Sequence, residues 1–201
     1  IKARARAGLF VCTGLLACWL GGCSMLAPQF AALHDDLPPG LPLSTDLGNT
    51  PYFPQTDHYC GPAALAMVLN HAGAKVTPAQ MIEQVYLPGR QGTLQVEMLA
   101  AARRNGLVAY VLEPRLGDVL LEISNGTPVI SLENYGVSSF PTWHYAVDIG
   151  FDIARSEVLR HSGERPRSVM PLAVFEHFWA RAGRWAMVAV PPERVPITAT
   201  E

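Results

Sequence analysis

The sequence has little with which to grip a nucleic acid, hold a metal or staple itself with disulfides. Its Lys and Arg number 15 against 17 Asp and Glu, a net of −2, whereas a nucleic-acid surface needs a clustered basic excess. DNA and RNA are therefore excluded as expected partners. None of the 6 histidines falls into a ligand spacing such as H-E-x-x-H. His34 lies in a Pro-rich stretch, His58 in the loop before a cysteine, His71 at a helix end and His177 on the last expected helix. Of the 4 cysteines, Cys12, Cys18 and Cys23 crowd near the start, leaving Cys60 without a second thiol for a zinc cage. No cofactor is expected. A core drawn from 201 residues at 49% hydrophobic content needs no such staple.

What is present begins with an address. Lys2, Arg4 and Arg6 precede an apolar stretch, Leu9 to Leu20, that is short for a spanning helix and suits a signal peptide. It ends in Leu20-Gly21-Gly22-Cys23, which resembles the lipobox of bacterial lipoproteins. The resemblance implies that residues 1–22 are a signal, cut before Cys23, and that Cys23 carries the lipid that anchors the chain to a membrane. Ser24 lacks the acidic side chain of an inner-membrane retention signal, so the expected site is the outer membrane, facing the periplasm. Cys60 would then be the mature protein's sole thiol. In an oxidising compartment such a thiol is either deeply buried or reactive.

Residues 23–50, with "LPPGLPLSTDLGNT", read as a lipidated cysteine and Pro-rich tether. The folded unit is expected over 51–192, with 193–201 as a tail. Helices are predicted from Cys60 to Asn70, from Thr77-Pro78 to Val85, after a Thr93 cap up to Asn105-Gly106, from Pro114 to Asn125 and from Pro171 to Trp179. Short β-branched or aromatic runs predict strands at Leu107–Val111, Val129–Leu132, Tyr145–Phe151, Glu157–Arg160 and Trp185–Ala189. The fold class is α+β, with helices packed on an antiparallel sheet.

Chemistry enters with "QTDHYCG". A thiolate at a helix N-terminus faces the positive dipole end and free amides, which would lower the Cys60 pKa. Gly61 would let the chain turn tightly into the helix. Gln55, five residues upstream, has a side-chain donor for an oxyanion, while Asp57 is expected only to make a turn. His144, opening an apolar strand after Trp143, can serve as the base.

Together, Gln55, Cys60-Gly61 with the helix behind them, and His144-Tyr145 resemble the bacteriocin-processing double-glycine leader peptidases. The likeness covers about residues 51 to 162. It implies a papain-like cysteine peptidase fold, Cys60 as nucleophile, His144 as base and then acid, and Gln55 as oxyanion donor. It also implies a peptide substrate cut after Gly-Gly or other small residues, here by a stand-alone periplasmic form. The family's orienting Asp is missing. The corresponding "EVLRHSGERPR" offers His161 and Ser162 instead, and Asp148 is expected to be a solvated carboxylate at a strand end. His161 keeps open an NlpC-like cell-wall endopeptidase, which often uses a second histidine as orienting group; a peptide-binding relative without catalysis is the third alternative.

Overall fold

The computed structural model describes residues 26–56 and 58–199. The signal, Cys12, Cys18, Cys23 and Asp57 therefore lie outside the described residues. Its helices are α1 Pro28–Asp35, α2 Cys60–His71, α3 Pro78–Val85, α4 Gln95–Arg104, α5 Leu116–Ser124 and α6 Leu172–Ala180. Its strands are β1 Ser44–Asp46, β2 Val108–Val111, β3 Val129–Asn134, β4 Trp143–Asp152, β5 Glu157–Ser162, β6 Arg165–Pro171 and β7 Ala186–Val190.

The strands form one antiparallel sheet in the order β2-β7-β3-β4-β5-β6. β3 pairs with β4 as far as Asp148, and β1 takes over the same edge from Gly150 to Asp152. Side chains alternate between two cores. Ile130, Leu132, Tyr145, Val147, Met187 and Ala189 pack with α2, α3 and α4. Val129, Phe151, Val158, Ala186 and Val188 pack with α1, α5 and α6 on the other face.

The central helix is α2. Gly61 through Leu69 are all buried, as expected for a helix that is apolar on every side. Pro62 lies in its first turn, where a missing N–H costs nothing. Gly73, at φ +94, accepts the left-handed turn after the helix end, and its N–H bonds the Asn70 carbonyl. The start of α3 is fixed by a capping box in which the Gln80 amide donates to the Thr77 hydroxyl and the Thr77 amide to the Gln80 side chain.

Three expectations need correction. Residues 28–50 are not a free tether. In α1, Leu33 is buried, and the Glu176 carboxylate of α6 accepts from the Gln29 and Phe30 amides while β1 joins the sheet. The tail is likewise tied, because the Thr198 amide and hydroxyl both donate to Glu122, a buried carboxylate of α5. Finally, Thr93 does not cap α4. The N-cap is Leu94, and the Thr93 side chain is turned toward α2.

Candidate active site

Cys60 opens α2 at the floor of a cleft of about 590 Å³ whose walls include His58, Arg90, Tyr135, Trp143 and His144. Among the described residues it is the free cysteine. The amides of Tyr145, Gly61 and Cys60 itself face the sulfur and favour the thiolate. Burial outweighs them and pushes the thiol above its ordinary value. The lowered thiol pKa expected at a helix start is thus overturned by desolvation, and the strongest opposing amide, that of Tyr145, comes from β4 rather than from the helix.

Gly61 serves close approach. A Cβ there would lie 2.7 Å from Thr93 Cβ, so only glycine lets the Thr93 segment pack against the nucleophile's turn. The Thr93 carbonyl in turn accepts the Tyr145 hydroxyl at 3.1 Å.

His144 is the second residue of β4. Its Nε2 lies 2.9 Å from the Ser162 hydroxyl, and Tyr135 stacks on the ring at a centroid distance of 5.4 Å and 26°. Burial lowers its pKa to about 4; Glu133 opposes the shift and Arg160 adds to it. Burial thus favours the neutral thiol and the neutral imidazole in the cleft that the two residues share. With Nε2 given to Ser162, Nδ1 is the ring nitrogen left for chemistry.

His161 does not reach His144. It follows Arg160 and precedes Ser162 on β5, so its side chain leaves the opposite face of the strand. Its Nε2 donates to the Thr50 carbonyl at 3.2 Å, and Nδ1 accepts the Arg167 amide at 3.1 Å. Burial lowers its pKa as well, consistent with that neutral tautomer.

Gln55 is buried and joins the three chain segments that carry the site. Its Oε1 accepts the Gly163 amide at 2.7 Å, which fixes the orientation of the side chain. Its Nε2 then donates to the Tyr145 carbonyl at 3.0 Å and to the Cys60 carbonyl at 3.3 Å. Both amide protons are engaged, so an oxyanion could take one only by displacing a carbonyl. In this arrangement Gln55 holds the α2 turn, the His144 strand and the turn after Ser162 in one register.

Sequence reasoning missed what lies beneath. Asp148 is not solvated. It is fully buried on β4, 3.2 Å from Arg160 Nη2, because β4 is flanked by β3 and β5 and covered by helices. Its pKa rises to about 6, through burial first. Arg160 also binds Glu133, and its guanidinium lies over Phe175 of α6 at 5.4 Å. A signal was there in principle: Ser131 and Glu133 alternate with apolar residues along β3.

Among the described residues no group of three His, Cys, Asp or Glu is placed to hold a metal. No described helix is long and apolar enough to cross a membrane.

Comparison with known proteins agrees with this architecture. A search of curated proteins finds no match. A protein described as a C39-like peptidase from Bacillus anthracis superposes with a TM-score of 0.60 at 17% identity, covering 75% of this chain and 99% of that one. The peptidase domain of Streptococcus ComA, a bifunctional ABC transporter of a quorum-sensing pathway, gives 0.55 at 21% identity, covering 71% and 99%. A double-glycine-motif protease from an AMS/PCAT transporter, solved with its leader peptide, gives 0.52 at 22% identity, covering 70% and 91%. These likenesses establish the α+β papain-like peptidase fold, with the cysteine's helix packed on the antiparallel sheet. The model of the Peptidase_C39-like family matches residues 48–187, and the chain belongs to that family.

Proposed function

We propose that this member of the family is an active cysteine peptidase that cuts peptide bonds by acyl transfer to Cys60. The observation that carries the reading is the shared cleft: Cys60 and His144 both line it, and Ser162 holds His144 by Nε2. His144 takes the thiol proton at Nδ1 as sulfur attacks the scissile carbonyl. The same nitrogen then returns the proton to the leaving amine, and a water activated in turn by His144 releases the acyl group. The amide of Cys60 supplies a donor for the oxyanion. A solved neighbour holds a leader peptide, which supports a peptide substrate cut after Gly-Gly or another small pair.

The N-terminal sequence supports a lipid anchor at Cys23 and a periplasmic face of the outer membrane. Since Ala27 is already packed, the domain would sit close to the bilayer. The cell-wall endopeptidase reading drew on His161 as orienting residue, and His161 is engaged elsewhere.

The test is digestion of a panel of peptides containing Gly-Gly, beside digestion of peptidoglycan, with the mature chain and its Cys60→Ala variant. Cleavage of peptides by the parent alone supports the reading; release of muropeptides instead would replace it with the cell-wall activity.

A further inference from the structure

The orienting Asp implied by the resemblance is missing and the Ser162 hydroxyl meets His144, yet a buried carboxylate stands on the neighbouring strand. In the β3–β4 register Glu133 is the direct partner of His144, and directly opposed residues project to the same face. Asp148 and Arg160 are paired in the β4–β5 register, so Glu133, His144, Asp148, Arg160 and Ser162 all share this face. Glu133 is fully buried. Its Oε1 takes Arg160, whereas Oε2 has no hydrogen-bond partner at normal distance.

Tyr135 lies beside this gap. Its ring stacks on His144 and meets Phe178 edge-on at 4.9 Å, which holds the phenol in place. That phenol lies near both the Glu133 carboxylate, whose Oε2 is unpaired, and the Ser162 hydroxyl, so that a small approach would complete a bond to each. Burial, with Glu133 next, raises the Tyr135 pKa, so the phenol keeps its proton and can only donate it to an anion.

We propose that Glu133 is a positioning residue for His144, ending a chain of donors in which His144 Nε2–H gives to Ser162, Ser162 to Tyr135, and Tyr135 to the carboxylate. An anion accepts and never donates, so it sets the direction of every bond before it. Ser162 alone could equally donate to Nε2, which would place the ring proton on Nδ1 and disable the base. Glu133 excludes that tautomer, and its charge stabilises the imidazolium formed when the thiol is deprotonated. The charged or titratable groups around His144 are Glu133 and Tyr135 from β3 and the turn after it, Asp148 farther along β4 itself, Arg160 from β5, and, lining the same cleft, Cys60 from α2 with His58 and Arg90 from the loops. Arg181, just past α6, binds the Gly136 carbonyl of the same turn. Arg160 opposes the imidazolium, and Glu133 is the larger influence of the two.

The inference deepens the proposed peptidase site, but its readout does not require hydrolysis. The imidazole 15N shifts of His144 are followed against pH in Cys60→Ala protein, where no thiol titrates beside the ring. With Glu133 present, the neutral ring carries its proton on Nε2. Glu133→Gln, which can donate as well as accept, is expected to populate the Nδ1–H tautomer and lower the pKa further, and Glu133→Asp to restore both. In the parent background Glu133→Gln slows Cys60 alkylation near neutral pH by about tenfold per unit of His144 pKa lost. A folded Glu133→Gln protein with unchanged tautomer and pKa would show that Glu133 only braces Arg160.

If Glu133→Gln does not fold, Glu133→Met with Arg160→Met and Asp148→Asn removes the whole buried charge cluster, so that no carboxylate is left without its cation. The His144 pKa is then still expected below that of the parent, and an unchanged or raised value overturns the proposal. Normal His144 behaviour in a protein that cuts no peptide would sink the peptidase reading and leave this one standing.

Discussion

The Nε2 atom of His144 lies 2.9 Å from the Ser162 hydroxyl. His161, one residue earlier, spends both ring nitrogens on the Thr50 carbonyl and the Arg167 amide. The two neighbours therefore separate by experiment. Ser162→Ala should lower kcat by about tenfold or more with little loss of stability, since the base loses its orienting partner. His161→Ala should cost about 1–3 kcal/mol of stability by leaving a buried carbonyl and amide unpaired, with a smaller effect on kcat. Thermal unfolding and turnover of both variants check this, and the reverse pattern would return His161 to the site.

Gln55 binds three backbone groups at once, so its loss should show in two measurements. Gln55→Ala is expected to destabilise by about 1–3 kcal/mol, because the Tyr145 and Cys60 carbonyls and the Gly163 amide lose their partner. Turnover should fall on the order of 100-fold as the site's register loosens. A change confined to KM, at unaltered stability, would make Gln55 a substrate-binding residue.

Protonation of His144 is disfavoured in the fold, from an ordinary 6.5 down to about 4. Its contribution to stability is thus present above 6.5 and is lost as pH falls through 4, because the unfolded chain binds the proton first. Asp148, raised to about 6, works in the opposite direction over much of this window. The parent alone is therefore ambiguous, and the comparison with His144→Ala is what matters. Denaturant midpoints of the two proteins should diverge as pH falls from 6.5 to about 4, with the parent losing more. Parallel curves would mean that the histidine is not buried as described.

Gly61→Ala should disturb the site from below. The added methyl would meet Thr93 at 2.7 Å, and the Thr93 carbonyl holds the Tyr145 hydroxyl. A destabilisation of about 1–3 kcal/mol is expected from overpacking, with slower Cys60 alkylation. Removal of the whole Thr93 side chain, as in Thr93→Gly, should recover part of the loss in the double variant, because Thr93 Cβ and Oγ1 are the atoms the methyl meets.

The elements that could be read from the sequence are those with local signals. Pro62 and Gly73 bracket α2, Thr77-Pro78 starts α3, and the short apolar run of β7, ending before Pro191, needs no neighbour to identify it. What escaped depends on partners far along the chain. α1 is held by Glu176 and β1 by Gly150 and its neighbours, while β6 is an edge strand whose Pro166 and Pro171 hide it from propensity. The site shows the same division. Cys60 and His144 stand out by residue type, and His161 and Ser162 were equivalent until the register decided which one faces the ring. Glu133 shows locally only as a polar position alternating with apolar ones along β3, and its meeting with Arg160 lies in the pairing of three strands.

The central claim is that Cys60 and His144 act as one reactive pair, and a thiol-directed peptide probe tests it most directly. The mature protein would be treated at pH 7 with a peptidyl acyloxymethyl ketone and followed by intact mass, beside His144→Ala and the urea-unfolded chain. The account predicts a single adduct on Cys60 in the parent, formed faster than in the unfolded chain, and a loss of that advantage in His144→Ala. A native Cys60 that labels no faster than the unfolded thiol, and equally with and without His144, would contradict it.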